Sequence, residues 1–278
     1  MNSLDRLATP DGVFCMLALD HRDALRNAFR RAGVEDVSTE TMLEVRARIA
    51  TALGADASAI LLDHAAAGCR PAHAGLLVPL EAQGYESLDG ARLNSLEFDA
   101  ADAQRVGADC CKLLLWYRAD HGATAARQRE LVARAAEDCH RHELPLVLEP
   151  LVYQLEGEKD KAFRSALPAL IVAAAGELAG SGADLLELQF AGKDACAEAT
   201  RAAAPLRWAL LGGSDVDGET FAARLETACR AGASGFIAGR AIWTGVLGVP
   251  AEKQEAWLAR EARPLFARLA AIAHDSVD

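Results

Sequence analysis

A chain of 278 residues, of which 51% are hydrophobic and 25% charged, has enough apolar mass for one large core. The formal net charge of −11 argues against a nucleic-acid binder, because affinity for the phosphate backbone depends on clustered lysine and arginine. The chain has no apolar run of about 18 residues, which argues against a membrane span. The start of the chain also lacks the basic stretch and apolar run of a signal peptide. These features favour one domain, residues 1–278, that binds a small polar molecule.

The cysteines indicate the compartment. Seven are present, none forms a CxxC pair, and an odd number favours reduced thiols over a disulfide framework. We therefore expect a cytoplasmic protein.

Eight short apolar runs predict strands, and longer stretches of helical period separate most of them. In chain order the runs cover residues 15–21, 58–64, 75–80, 110–117, 144–153, 185–190, 207–213 and 235–243. Continuous rather than alternating apolar character is typical of parallel strands that are covered on both faces. The clearest helical patterns cover residues 39–53, 125–142, 165–180 and 218–232.

Strands that alternate with helices in a chain of this length predict an α/β fold, a single (β/α)8 TIM barrel. A doubly wound open sheet is the alternative. The link between the second and third runs is too short for a full helix, so one unit of the barrel should be irregular.

Polar residues late in the apolar runs are the candidate site residues, because active sites of such barrels form at the carboxyl ends of the strands. They are Asp20, His21, Arg22, Asp63, His64, Lys112, Glu149, Glu187, Gln189, Gly212, Gly213, Ser214, Gly239 and Arg240. The glycine-rich ends of the last two runs can present backbone N–H groups and a guanidinium to a phosphate.

Structural roles are the alternative for several of these residues. Asp63 and His64 could cap a loop, and His21 could begin the next helix as a solvated residue together with Arg22. The carboxylates and Lys112 could form a purely structural ion network, although isolated buried charges are costly unless they are paired.

Six stretches of the chain, in order, resemble class I aldolases of the tagatose-1,6-bisphosphate and sulfofructosephosphate aldolase type. They are MLALDHRDAL at 16–25, SAILLD at 58–63, CKLLLWYRAD at 111–120, DCHRHELPLVLEP at 138–150, ELAGSGADLLEL at 177–188 and AGASGFIAGRAIWTGVLGVP at 231–250. The resemblance implies a barrel that needs no cofactor, acts on a phosphorylated or similarly anionic keto sugar, and forms a homo-oligomer.

The resemblance also implies roles for single residues. Asp20 would contact the substrate, Lys112 would lie beside the covalent centre, and Glu149 would transfer protons. Gly239 and Arg240 would bind phosphate.

One position departs from the family. Relatives carry the Schiff-base lysine on the sixth strand, where this chain has Glu187. An aldolase of this class needs an amine at that point, because the iminium draws electrons from the bond being cleaved, and a carboxylate cannot form one. The relatives' Ser-Ser-Gly stretch also reads Gly212-Gly213-Ser214 here.

The main hypothesis is an atypical carbon–carbon lyase, or related carbonyl chemistry, on a phosphorylated keto sugar. Glu149 is then the acid/base and Asp20 orients hydroxyls. Lys112 is the electrophile or a replacement imine former, with Lys193 a weaker candidate, although Glu149 and Glu187 would raise the pKa of Lys112. The expected substrate-binding residues are Arg22, Asp63, Gln189, Gly212, Gly213, Ser214, Gly239 and Arg240.

Two further hypotheses stay open. A non-covalent sugar-phosphate isomerase or epimerase would use Glu149 and Glu187 as an acid/base pair. A divalent metal held by Asp20, Glu149 and Glu187, with His64, could assist it. The third hypothesis is a sugar-phosphate binding protein without catalysis.

Overall fold

The structure is a computed structural model that describes residues 4–213 and 216–276. In this part of the chain, eight parallel strands form a closed barrel in which each strand pairs with the next and the last pairs with the first. The strands are β1 (Phe14–Ala18), β2 (Ala59–Leu61), β3 (Gly75–Pro79), β4 (Cys110–Trp116), β5 (Leu146–Leu151), β6 (Leu185–Leu188), β7 (Arg207–Leu211) and β8 (Gly235–Ala238). The predicted (β/α)8 barrel is confirmed, and the open sheet is wrong because β1 and β8 pair along Phe14↔Gly235 to Leu17↔Ala238.

Helices cover the outside of the barrel. They are α1 (Asp23–Arg31), α2 (Thr39–Leu53), α3 (Ala100–Arg105), α4 (Gly122–Arg141), α5 (Asp160–Leu178), α6 (Lys193–Ala203), α7 (Gly218–Arg230), α8 (Arg240–Trp243), α9 (Gln254–Trp257) and α10 (Arg263–Ser276). The four helical patterns of the sequence correspond to α2, α4, α5 and α7. Short 3-10 turns cover Gly54–Asp56, His64–Cys69, Thr244–Gly248 and Ala251–Lys253, and a π-helical turn covers Leu258–Ala262. The turn at His64–Cys69 is the irregular unit that the short link predicts. No helix described here is both long and apolar enough to cross a membrane.

A hairpin that the sequence analysis did not predict lies between β3 and α3. Its antiparallel strands are Glu86–Leu88 and Ala91–Leu93. Asp89 and Gly90 connect them, with φ angles of 51° and 78°. Two positive φ angles in a two-residue connection are typical of a hairpin turn, and Asp-Gly is a favoured pair for it. The Asp89-Gly90 dipeptide was therefore the sequence signal from which this hairpin could have been predicted.

Two apolar layers follow from the alternation of side chains along each strand. Residues such as Phe14 and Met16 point into the barrel, where they pack with Cys110, Val147 and Leu185. Their sequence neighbours point outward and pack against the helices. The residues two positions after this interior layer on β4, β5 and β6 also point inward, nearer the carboxyl end, and they are Lys112, Glu149 and Glu187. Strand geometry alone thus brings these three side chains together.

A buried arginine on α2 holds the loop that follows β1. Arg46 donates to the carbonyl oxygens of Leu19 at 3.1 Å and His21 at 2.7 Å. Its guanidinium also lies 2.8 Å from the Asp63 carboxylate. Since one cation connects both loops, it fixes the backbone that carries Asp20.

We expect Arg46→Met to destabilise the fold by about 3–5 kcal/mol, because the Asp63 carboxylate would stay buried without its partner. Urea unfolding of the two proteins measures the difference. Arg134→Met, an exposed arginine on α4, is the matched control and should change the free energy of unfolding little. Equal stability of the Arg46 variant and the control would contradict the role of Arg46.

Candidate active site

A cavity of about 1040 Å³ opens at the carboxyl ends of the strands. It is lined by most of the candidate residues from the sequence, which are Asp20, His21, Arg22, Lys112, Glu149, Glu187, Gln189, Gly212, Gly213, Gly239 and Arg240. Ser214 lies outside the described residues. The structure thus collects the candidates at one opening, at the end of the barrel where such sites form.

The side chain of Lys112 lies inside a cluster of carboxylates. Its residue is 2% exposed, and its Nζ atom is 2.5 Å from Glu149 Oε2. The same atom is 3.7 Å from Asp20 Oδ2 and 3.8 Å from Glu81 Oε1. Burial opposes its charge, but attraction to these carboxylates outweighs burial and holds the pKa of Lys112 well above its ordinary value. Lys112 is therefore an ammonium.

Glu187 has the opposite charge preference. It is 2% exposed, and its Oε2 atom is buried without a hydrogen-bond partner among the residues described. Burial and the neighbouring Glu149 raise its pKa well above the ordinary value, against the attraction of Lys112. These surroundings favour the neutral acid form of Glu187, which can donate a hydrogen bond.

The other carboxylates differ in how burial and the neighbouring charges combine to shift their pKa values. Burial raises the pKa of Glu149, although Lys112 opposes the shift. For Asp20, burial also acts upward, but Lys112 and His21 outweigh it and its pKa is lowered. Burial raises the pKa of Glu81 to about 7. The site thus holds carboxylates of different proton affinity within reach of one ligand, as acid/base chemistry requires.

Sequence analysis missed Glu81. It immediately follows the third apolar run, so it has the same position relative to its strand as other candidates. Its Oε2 atom accepts a hydrogen bond of 3.0 Å from the backbone N–H of Leu114 on β4. That bond turns the carboxylate inward, which the sequence could not show.

The side chains do not offer a ready metal site. Over the described ranges 4–213 and 216–276, no group of three or more His, Cys, Asp or Glu side chains is arranged to hold an ion. The Lys112 ammonium lies between Asp20 and Glu149, where a cation would bind. His64 is engaged elsewhere, with Nε2 3.0 Å from the Pro79 carbonyl oxygen and its ring stacked on Phe98. The donor set named for the metal-assisted isomerase therefore does not fit a metal in this arrangement.

Glycine allows close contact between the strand ends at β7, β8 and β1. A Cβ atom on Gly212 would lie 2.5 Å from Ala238 Cα, and one on Gly239 would lie 2.3 Å from the Ala18 carbonyl oxygen. Arg224 of α7 lines this part of the cavity too and was not among the candidates. We call Gly212, Gly213, Arg224, Gly239 and Arg240 the β7–β8 side of the cavity.

Three other candidates make structural contacts. Arg22 pairs with Glu97 at 2.8 Å, and Gln189 accepts from the backbone N–H of Val152 at 2.7 Å; both still line the cavity. Asp63 lies outside the lining, because its carboxylate binds Arg46 and accepts from the N–H of Ala66 at 2.9 Å. This placement of Asp63 agrees with the alternative in which it caps a loop.

The raised pKa of Glu81 leads to a prediction about stability. A folded-state pKa of about 7 means that Glu81 stabilises the fold below its unfolded pKa and loses this contribution as pH rises through 7. Glu81→Gln keeps an acceptor for Leu114 but cannot ionise. We expect the stability of the variant relative to the unmodified protein to increase from pH 5 to pH 8.5, measured by urea unfolding. The exposed Glu86→Gln should show no such trend; a flat difference for Glu81→Gln would contradict the assignment.

Two curated relatives are tagatose 1,6-diphosphate aldolases. The chain is 33% identical over 163 residues to a tagatose 1,6-diphosphate aldolase 2 of Enterococcus faecalis, covering 55% of this chain and 48% of that protein. It is 29% identical over 157 residues to a tagatose 1,6-diphosphate aldolase 1 of Streptococcus mutans, covering 54% of this chain and 48% of that protein. The matched part is about half the length of these relatives.

Solved structures share the fold. A crystal structure of an archaeal fructose 1,6-bisphosphate aldolase has a TM-score of 0.71 at 19% identity and covers 98% of both chains. A fructose-bisphosphate aldolase from Slackia heliotrinireducens has a TM-score of 0.69 at 16% identity, covering 100% of this chain and 90% of that one. At such identities the likeness shows the barrel alone. The DeoC/LacD family aldolase profile, however, matches residues 14–245, so the chain belongs to the DeoC/LacD aldolase family.

Proposed function

We propose that this protein is a carbon–carbon lyase that cleaves or forms a phosphorylated keto sugar without a covalent imine. The observation that carries the proposal is the contact of 2.5 Å between Lys112 Nζ and Glu149 Oε2, beside the buried Glu187, whose pKa is raised by burial and by Glu149. Lys112 and Glu187 are then hydrogen-bond donors, and Glu149 a proton-transfer group, in the lining of one cavity. Such an arrangement suits a reaction in which negative charge develops on a carbonyl oxygen.

The charge of Lys112 argues against its use as the replacement nucleophile. Imine formation needs a neutral amine, and lysines that form imines have their pKa lowered by a dry site or a second cation. Lys112 has carboxylates around it instead, which favour the ammonium. Lys193 is exposed at the start of α6 and does not line the cavity. We therefore assign Lys112 the role of electrophile.

The proposed cleavage runs through an enediolate. Glu149 removes the proton of the hydroxyl group on the β carbon, which becomes an aldehyde as the bond between the α and β carbons breaks. The electron pair of that bond forms the carbon–carbon double bond of the enediolate, and the π pair of the ketone moves to its oxygen, where Lys112 and Glu187 donate hydrogen bonds to the developing charge. The proton then passes from Glu149 to the α carbon, which completes the second carbonyl product.

The β7–β8 side is the proposed phosphate site. Arg240 and Arg224 supply guanidinium groups to the cavity lining, which also includes Gly212, Gly213 and Gly239. A guanidinium suits phosphate because it donates through two parallel N–H groups. Asp20, Arg22 and Gln189 remain proposed substrate contacts, as does Ser214, which lies outside the described residues.

An isomerase or epimerase is the second candidate. Glu149 and Glu187 are on adjacent strands, and burial together with Glu149 raises the pKa of Glu187. Glu149 could remove the proton on the α carbon while Glu187 protonates the oxygen, which yields an enediol without bond cleavage. The two candidates share the enediolate and differ in which proton Glu149 takes.

Reductive trapping tests the absence of an imine. With dihydroxyacetone phosphate and borohydride, we expect no mass adduct on the unmodified protein. Glu187→Lys places an amine at the family's position, and we expect this variant to trap the ketone, as shown by intact mass spectrometry. An adduct on the unmodified protein that disappears in Lys112→Ala would contradict the proposal and make Lys112 the covalent centre.

Deuterium exchange measures the proton transfer separately from cleavage. In D₂O and in the presence of the protein, dihydroxyacetone phosphate should gain deuterium at its α carbon. NMR measures the rate of this incorporation. We expect Glu149→Gln to slow this exchange by about 10²–10⁴-fold, the usual contribution of a general base. Glu187→Gln keeps a neutral hydrogen-bond donor, so its rate of deuterium exchange should fall much less than that of Glu187→Leu.

Products then separate the candidates. Release of an aldehyde from a panel of ketose phosphates supports the lyase, whereas exchange with a new ketose or aldose and no aldehyde supports the isomerase. Absence of exchange, cleavage and isomerisation, with phosphate sugars still bound, would contradict both and leave the binding protein.

A further inference from the structure

The guanidinium of Arg224 has no hydrogen-bond or ion-pair partner among the residues that the structure describes. This arginine lies on α7, is partly buried and lines the cavity. The other cations of the described lining are engaged, since Lys112 and Arg22 pair with carboxylates and Arg240 makes an interaction of its own. Water screens a partly buried charge less than an exposed one, so a counter-ion there is attracted more strongly. Arg224 is therefore the lining cation that is best placed to bind an anionic ligand.

The sequence of α7 explains why Arg224 lacks a carboxylate partner. Ion pairs along a helix form between residues three or four positions apart. None of the residues at these distances from Arg224 is acidic; they are Thr220, Phe221, Thr227 and Ala228. Arg230, the other arginine of the helix, has Glu226 four residues before it, and the two side chains pair at 2.6 Å. Arg230 is thus a matched control on the same helix.

Phe190 supports the guanidinium of Arg224 from one side. The Cζ atom of Arg224 lies over the Phe190 ring, 5.4 Å from its centroid. Phe190 also lines the cavity, and it packs against the main apolar core. A stacked guanidinium uses its face for the ring, whereas its N–H groups point outward in its plane. The contact therefore orients Arg224 without occupying its hydrogen-bond donors.

The stacked pair belongs to the same cavity as the proposed reaction groups. Phe190 follows Glu187 of β6 by three residues, and both line the cavity together with Arg224. The cavity of about 1040 Å³ has room for a ligand that is anionic at one end. Such a ligand can contact the Arg224 guanidinium with that end while its carbonyl group faces Glu187.

We infer that Arg224, oriented by Phe190, selects substrates that carry a tetrahedral oxyanion, the chemistry that a phosphate and a sulfonate share. This inference rests on the proposed function and assigns its substrate selection to one residue. A guanidinium donates to two oxygens of such a group through parallel N–H groups, and the point charge of a lysine does not reproduce this fork. Phe190 is a positioning residue, because it acts through the orientation of Arg224.

Dissociation constants test the inference without requiring turnover. The probes are dihydroxyacetone phosphate, inorganic phosphate and methanesulfonate, and the constants come from the ligand dependence of thermal unfolding of the full chain. We expect Arg224→Gln to weaken the binding of dihydroxyacetone phosphate by about tenfold or more, because hydrogen bonds to a charged group are lost. Arg230→Gln removes the same charge from the same helix and should leave the constant unchanged.

Two further variants separate the charge of Arg224 from its orientation. Arg224→Lys keeps the charge without the fork and should recover only part of the affinity. Phe190→Leu keeps an apolar side chain but removes the ring, and we expect it to weaken binding by about two- to fivefold. In the Arg224→Gln background the same change should weaken binding no further, because Phe190 acts through the guanidinium. An equal loss in both backgrounds would overturn the role of Phe190.

The remaining outcomes separate the inference from the proposed function. Inorganic phosphate and methanesulfonate show which oxyanion the unmodified protein prefers, and the preferred one must also lose affinity in Arg224→Gln. A smaller loss for dihydroxyacetone phosphate than expected, or an equal loss in Arg230→Gln, would overturn the inference and leave the proposed function standing. If the unmodified protein binds none of the three probes, the proposed function fails as well.

Discussion

The ion pair between Lys112 and Glu149 is the interaction on which the rest of the site depends. Several carboxylates converge on the carboxyl end of the barrel, and without a cation at their centre they would repel one another in a dry environment. Lys112 reaches this position because its long side chain extends from β4 to the level of Glu149 on β5. The lysine therefore makes the acidic cluster possible, and the cluster in turn keeps the lysine charged.

This mutual dependence explains how a further carboxylate, Glu187 on β6, can be buried beside the same cluster. Burial and the neighbouring Glu149 raise the pKa of Glu187 well above its ordinary value, which favours its neutral form, while Lys112 lies against Glu149 and Asp20. In the proposed reaction, Glu187 is a hydrogen-bond donor and not a nucleophile. The proposed site thus stabilises charge on a carbonyl oxygen through Lys112 and Glu187 without a covalent imine.

Prediction from sequence succeeded where strand alternation decides the outcome. The eight runs, the barrel and the inward direction of Lys112, Glu149 and Glu187 all follow from apolar period and position. It missed Asn94 because this residue follows a hairpin, and only hydrogen bonds from Trp116 and Gln128 place it in the cavity. The sequence analysis expected Asp63 in the cavity lining because it follows a strand. It could not show that Asp63 pairs with Arg46, because the two residues are far apart in the sequence.

The sequence by itself determined the barrel, the family stretches and the set of residues at the carboxyl ends, since these depend on local period and on order along the chain. Only the tertiary structure decided the charge of each group. The proton affinity of Lys112, Glu81 or Glu187 depends on distances between side chains from different strands and on the water excluded by packing. Those quantities exist only once the barrel has closed.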